Sequence, residues 1–222
     1  MDEERTSNYS NLPLTFKLQS GFLPINFSLD TETRANQLID ALRTTVPNLT
    51  NEEVLHVVMV NQYMVEHIIS EGIIFAANFV GRSRQDFTSA TTAQFTVSTR
   101  EAHLRSTRPL DTVAAEMRKH SSKPVLDFVD LPIGQCLTVV SENTYTMPRR
   151  ITGQQEPTTR TTRQIQVTIP ILGHDKIAVF TLSTEFLRDW QDYVDMMAEI
   201  CSTIAWQDHS SGTIGSILDG LN

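Results

Sequence analysis

The residues best placed to bind another molecule are the acidic side chains near the C-terminal end of the sequence. They are spaced three or four residues apart, and they are Glu185, Asp189, Asp192, Asp195 and Glu199. At that spacing they are neighbours on a helix surface, where like charges repel by a few tenths of a kcal/mol per pair. From Gln164 onward the chain has eight acidic and two basic residues. Such a pattern is typical of a solvated helix face, and the alternative is a docking face for a basic partner.

A second charged feature lies between residues 146 and 163. Four arginines occur there against one acid, Glu156, and they are Arg149, Arg150, Arg160 and Arg163. Arginine donates paired N–H groups that suit carboxylate and phosphate. We therefore consider two interpretations of this segment. It is a mobile polar loop that rests on the acidic helix, or it recognises an acidic partner or an anionic group.

Motifs for catalysis or for cofactor binding do not occur in the sequence. It has no G-x-S-x-G elbow, no phosphate loop and no dinucleotide fingerprint. The six histidines have no partner at a metal-ligand interval, so we expect them to be surface or hydrogen-bonded structural residues. The sequence therefore predicts no catalytic residue, no cofactor and no metal site.

The two cysteines, Cys136 and Cys201, occur in apolar surroundings. This setting favours two buried thiols, because free cysteine behaves as a small hydrophobic residue. The alternative is a disulfide that joins a strand to the last helix, which would suit an oxidising compartment.

The composition excludes several classes of function. The chain has 222 residues, 40% of them hydrophobic, and a formal net charge of −8. General nucleic-acid binding is not expected, because counterion release requires a basic surface. No apolar stretch reaches about 18 residues, so no membrane span is expected. The acidic start MDEERTSNYSN lacks the basic and apolar regions of a secretory signal, and we expect a cytoplasmic location.

A strand–turn–strand–helix unit over residues 162–206 must position these charges. Apolar and polar residues alternate over 163–171 and again over 176–182, with Gly173-His174-Asp175 as the connection. The helix that follows has an apolar stripe at steps of 4, 3, 4, 3 and 4. The stripe consists of Phe186, Trp190, Tyr193, Met197, Ile200 and Ile204. This periodicity predicts a helix over 184–205 that lies on a sheet.

The earlier part of the chain shows further alternating elements. Helical periodicity predicts helices over 31–46, 51–71 and 109–119, the second of them beginning at a capping box, Thr50 to Glu53. Strands are expected over 73–80, 87–99 and 135–145, and shorter ones around Gly21. Residues 120–134 remain ambiguous because prolines and a glycine interrupt them.

The strand over 87–99 is informative because its two faces differ. Ala93, Phe95 and Val97 lie on one face, and Thr92, Gln94 and Thr96 lie on the other. Such alternation is typical of a half-exposed strand in an antiparallel sheet. The whole pattern predicts an α+β fold with a central antiparallel sheet, covered mainly by helices 51–71 and 184–205.

The predicted domain organisation has three parts. Residues 1–12 form a flexible N-terminal arm, residues 13–206 form a single α+β domain with a polar loop at 146–161, and residues 207–222 form a C-terminal tail. The oligomeric state does not follow from the sequence.

Three features of the C-terminal unit carry a family resemblance. They are the step Val167-Thr168-Ile169-Pro170-Ile171, the strand IAVFTLST, and the helix end Ile204-Ala205-Trp206. The unit resembles that of actinobacterial proteins of unknown function with a PsbP-like α/β/α sandwich, shared by photosystem extrinsic proteins and a Ran-binding regulator. The resemblance covers residues 14–206 in element order and 162–206 in detail. It implies a sheet that serves as a scaffold for binding other proteins, and no functional residue of the family maps to a position here.

These observations lead to one favoured function and two alternatives. We expect a non-catalytic module that binds another protein, as an adaptor, chaperone or accessory protein, and the resemblance associates it with a bacterial secretion or envelope system. One alternative is an enzyme, which would require a deep pocket with convergent polar groups and a strongly perturbed titratable residue. The other is a toxin-neutralising protein whose acidic face mimics an anionic substrate.

Overall fold

A computed structural model describes residues 12–68, 73–102, 109–120, 125–147, 158–171 and 175–207. These residues form a seven-stranded antiparallel sheet with helices on both faces. The predicted fold class, α+β with a central antiparallel sheet, is confirmed. No described helix is long and apolar enough to span a bilayer.

The large sheet has the strand order β2-β3-β4-β8-β7-β6-β5. The strand bounds are β2 Phe22–Pro24, β3 Ile73–Arg82, β4 Ala90–Glu101, β5 Val125–Leu131, β6 Gly134–Met147, β7 Thr158–Ile171 and β8 Lys176–Thr184. A separate pair joins the two ends of the domain, where β1, Leu14–Thr15, lies antiparallel to β9, Ala205–Trp206.

The described helices are α1, Thr31–Thr45; α2, Asn51–Ile68; α3, Pro109–His120; and α4, Trp190–Ser202. A 3₁₀ turn, Leu187–Asp189, precedes α4. The predicted capping box is present, because the Thr50 N–H donates to Glu53 over 2.8 Å and the Glu53 N–H donates to Thr50 Oγ1 over 3.3 Å.

Helix α4 covers one face of the sheet. Its apolar stripe buries Tyr193, Met197 and Ile200 against sheet residues such as Phe95 and Phe180. The predicted contact of this helix with the sheet is therefore correct. The α-helical part begins later than expected, because Thr184 Oγ1 accepts the Phe186 N–H over 3.0 Å and holds the intervening chain in a turn.

Helices α1, α2 and α3 cover the opposite face. Val80 of β3 packs with α1 and α2, and Leu137 and Val139 of β6 pack with α3. Successive strand residues point to alternate faces. The polar face of β4, predicted to be half-exposed, therefore lies under helices, and Gln94 is 6% exposed.

Strand β5, in the segment left ambiguous by the sequence, is the last strand of the large sheet in the described chain. Val125 is 69% exposed, and Phe128 and Val129 are each 37% exposed. Asp127 Oδ1 accepts the backbone N–H of Phe128 over 2.9 Å. The strand was not predicted because its apolar residues alternate irregularly with the two aspartates, and because its outer side is not buried.

Three predicted boundaries need correction. Residues 146–147 and 158–161 of the predicted polar loop belong to strands β6 and β7, since 146–147 pair with 158–159, and 160–161 pair with 144–145. Leu12, placed in the N-terminal arm, is buried, and the Gln207 N–H bonds to the Pro13 carbonyl over 2.9 Å. The rest of that loop, arm and tail lies outside the described residues.

Candidate functional site

Two concave regions involve the charged residues singled out in the sequence. The first is the acidic groove, which has a volume of about 220 Å³ and lies along α4. Four of the five predicted acidic residues line it, and they are Asp189, Asp192, Asp195 and Glu199. Gln19, Ser20, Arg82 and Arg84 form much of the opposite wall.

The acids of the groove differ in how their charges are compensated. Arg84 Nη1 lies 3.2 Å from Asp192 Oδ1. Asp195 accepts a hydrogen bond from Gln191 over 3.0 Å, and Glu199 accepts one from Gln19. Because these two partners are neutral amides, the carboxylates of Asp195 and Glu199 retain their negative charge toward solvent.

Asp189 does not belong to the exposed part of this surface. It is 2% exposed, and its Oδ1 accepts the hydroxyl of Ser83 over 2.6 Å. Its Oδ2 has no hydrogen-bond donor among the described residues, although Arg188 Nε lies 3.7 Å away. The expectation that Asp189 forms an exposed docking contact is therefore wrong, since the residue ties α4 to the end of β3 from within.

Glu185, the fifth acid, lines a different region, the polar cavity. This cavity has a volume of about 360 Å³ and lies between α2 and the second face of the sheet. Its main polar residues are His56, Asn61, Asn78, Gln94, Arg160 and Glu185. Apolar side chains complete the wall, among them Leu38, Val57, Val60 and Phe186. The fold thus brings together Glu185 and Arg160, which the sequence assigned to separate features.

The polar groups of the cavity come from distant parts of the chain. Arg160 Nη2 lies 3.2 Å from His56 Nε2. The side-chain amides of Asn61 and Asn78 bond to each other over 2.7 and 3.2 Å. In contrast, Arg160 Nε and Gln94 Nε2 are buried and have no hydrogen-bond partner among the described residues. Two N–H donor groups in the cavity lining therefore remain unused.

Burial shifts the titration of two groups in the cavity. It raises the pKa of Glu185 from 4.5 to about 7, and the carboxyl also accepts a hydrogen bond from the hydroxyl of Tyr145. Burial lowers the pKa of His56 below 6.5, and the positive charge of Arg160 lowers it further. At neutral pH, His56 is therefore uncharged and Glu185 titrates.

Arg163 lies on the other side of the sheet from Arg160. The two residues are three positions apart in β7, and an odd separation places side chains on opposite faces. The Arg163 guanidinium lies 5.2 Å from the centre of the Trp190 ring and forms an ion pair with Glu142. Arg149 and Arg150 lie outside the described residues, so the structure describes only Arg160 and Arg163 of the predicted arginine group.

Sequence reasoning missed His56, Asn61, Asn78 and Gln94. His56 and Asn61 lie in a predicted helix and belong to no recognised motif. Asn78 and Gln94 are single amide side chains within predicted strands. The available signal was a polar residue in each central strand of a protein with helices predicted on both sides. Pairing across 104 positions, as between His56 and Arg160, is not visible in local spacing.

The chemistry open to these two regions is the binding of charged and polar groups. The acidic groove presents carboxylates, and the polar cavity presents mainly N–H donors. Within the described ranges, no group of three or more His, Cys, Asp or Glu side chains is arranged to hold a metal ion. No protein-family model and no curated protein matches the chain.

Proposed function

We propose that this chain is a non-catalytic protein-binding module that docks a basic segment of another protein in the acidic groove. The observation that supports this is the convergence of Asp192, Asp195 and Glu199 on one groove, where the partners that Asp195 and Glu199 have among the described residues are neutral amides. The adaptor, chaperone or accessory role expected from the family resemblance, together with its link to secretion or the envelope, belongs to the same proposal.

The physical reason is electrostatic steering. A chain with a formal charge of −8 attracts cationic segments, and a concave acidic surface concentrates that attraction. Lysine and arginine side chains are long enough to reach a groove of this size while their apolar stems cover Met196 at its wall. Such contacts mainly raise the association rate and depend on salt.

The enzyme alternative draws on the polar cavity, which has convergent polar groups and a titrating Glu185. Binding is favoured over catalysis because the two groups with shifted pKa values, His56 and Glu185, contact different neighbours. His56 faces the Arg160 guanidinium, and Glu185 accepts from Tyr145. Among the described residues, neither His56 nor Glu185 is hydrogen-bonded to a serine, threonine or cysteine side chain that it could activate as a nucleophile.

The test measures the anisotropy of a fluorescein-labelled peptide of alternating lysine and glycine at about 50 and 200 mM salt. We expect binding at low salt that weakens at high salt. The triple variant Asp192→Asn, Asp195→Asn and Glu199→Gln should weaken binding at low salt by about tenfold, which corresponds to about 1.4 kcal/mol.

The matched control changes the net charge by the same amount away from the groove. It carries Glu32→Gln, Asp40→Asn and Glu52→Gln, at three exposed positions of α1 and α2. Equal binding by the two triple variants would show that only the net charge matters, and it would refute the groove. Affinity capture with the same pair of variants then identifies the partner that depends on the groove.

A further inference from the structure

The polar cavity contains buried hydrogen-bond donors that no described residue satisfies. Arg160 Nε and Gln94 Nε2 both lie in this state. Gln94 is only 6% exposed, and it lies in β4, an interior strand of the sheet. Burying an N–H donor without a partner destabilises the folded state, so native proteins rarely keep such groups without a reason.

The charges around these donors indicate the sign of a ligand. Arg160 is the permanent charge of the cavity lining, and His56 is neutral at physiological pH because burial and Arg160 lower its pKa. Glu185 is the one carboxyl among the described lining residues. A cationic ligand would meet the guanidinium, whereas an anionic ligand would complete its hydrogen bonds.

The shape and the remaining wall indicate the size and polarity of the ligand. A volume of about 360 Å³ falls within the range of small-molecule sites, about 300–1,000 Å³. Leu38, Val57, Val60 and Phe186 supply an apolar surface beside the donors. A ligand with one anionic group and a hydrocarbon body matches a cavity that has donors on one side and apolar side chains on the other. A phosphate fits less well, because its second negative charge would lie in a cavity that also contains Glu185.

We propose that the polar cavity binds a small monocarboxylic acid with an apolar body, whose carboxylate accepts hydrogen bonds from Arg160 and Gln94. The hydrocarbon part lies against Leu38, Val57 and Phe186. This site does not depend on the acidic groove, because that groove is built on α4 at the opposite face of the sheet.

The experiment follows ¹⁵N–¹H spectra of the full chain during titration with hexanoate and with benzoate, and hexanamide serves as the neutral control. We expect saturable shifts at Asn61, Asn78 and Gln94 with dissociation constants in about the millimolar range, as suits ligands of this size. Hexanamide should bind at least about fivefold more weakly, because it lacks the charge. Equal binding of hexanoate and hexanamide, or no shifts with either carboxylate, would overturn the proposal.

Two arginine variants of the same strand locate the site. Arg160→Met should weaken hexanoate binding at least about fivefold, whereas Arg163→Met, on the opposite face, should leave it within about twofold. Equal losses in both variants would refute the assignment. If Arg160→Met fails to fold, Arg160→Lys, which keeps the charge but loses the paired donors, should still weaken binding, and unchanged affinity would count against Arg160.

Inorganic phosphate tests the class of the anion. We expect phosphate to cause no saturable shift of the cavity residues at concentrations at which hexanoate saturates the site. Tighter binding of phosphate than of hexanoate would refute a monocarboxylate ligand. None of these outcomes affects the basic-peptide experiment. Failure of the cavity proposal can therefore be distinguished from failure of the proposed function of the acidic groove.

Discussion

The hydroxyl groups of Thr91 and Tyr193 share a hydrogen bond of 2.6 Å inside the core, and this bond joins β4 to α4. Tyr193 is 1% exposed, and its ring also meets Phe79 edge-on with 6.0 Å between the ring centres. The tyrosine thus fixes the position of α4 on the sheet through a buried polar contact.

Replacing Tyr193 by phenylalanine should destabilise the protein by about 1–2 kcal/mol, because the Thr91 hydroxyl then remains buried without its partner. Urea unfolding of Tyr193→Phe, Thr91→Val and the double variant measures the effect. The double variant should be less destabilised than the sum of the single variants. Additive losses would show that the two hydroxyls do not depend on each other.

Replacing Asp189 by alanine should cost about 2–3 kcal/mol of stability, since it removes the acceptor of the buried Ser83 hydroxyl and leaves a void. Asp192→Ala, three residues further on in the first turn of α4, provides the control. The ion pair between Asp192 and Arg84 lies near the surface, so Asp192→Ala should lower the free energy of unfolding by at most about 0.5 kcal/mol. Comparable losses in the two variants, measured by urea unfolding, would contradict the structural role of Asp189.

Glu185→Gln should change how stability depends on pH. Folding raises the pKa of Glu185 from 4.5 to about 7, so the folded protein binds the proton more tightly than the unfolded chain. The wild type therefore loses stability relative to Glu185→Gln as pH rises from about 4.5 to 7, and the difference stays constant above that range. Allowing for the partial exposure of the side chain, we expect a change of about 1–2 kcal/mol.

Thermal or urea unfolding at intervals between pH 4 and 8 checks this prediction. The difference between wild type and variant isolates Glu185 from His56, which titrates in both proteins. Parallel pH profiles would contradict the raised pKa of Glu185.

The two cysteines should be unreactive in the native protein. Both are free and buried, and burial raises the pKa of Cys136 to about 11 and that of Cys201 to about 12. Almost no thiolate is then present at pH 8, and the thiolate is the reactive form. Ellman's reagent should detect no thiol in buffer and two in concentrated urea. Modification of either thiol within minutes in buffer would contradict this burial.

The sequence predicted the parts of the fold that depend on local signals. The capping box from Thr50 to Glu53 and the apolar stripe of the last helix both specify their elements within a few residues. Strand β5 escaped prediction because an exposed edge strand lacks the buried face that produces regular alternation.

The polar cavity could not be predicted, because polarity in a sequence does not report burial. Gln94 sits among threonines on a face expected to meet water, and α2 covers that face in the structure. Whether a polar side chain is solvated or enclosed depends on where a helix from another part of the chain packs. The acidic groove was partly predictable, since helical spacing grouped its carboxylates. The buried position of Asp189, however, depends on its contact with Ser83, the residue that follows β3.

The outer rim of the sheet at β5 has a consequence for how the protein behaves at high concentration. No described strand pairs with the outer side of β5, and an unpaired edge with exposed apolar residues such as Val125 and Phe128 is a template for pairing with another chain. Asp127 occupies the Phe128 amide, and Asp130 adds a second negative charge along the same rim. Negative charges along an edge strand oppose the pairing of two identical copies, because the like charges repel each other.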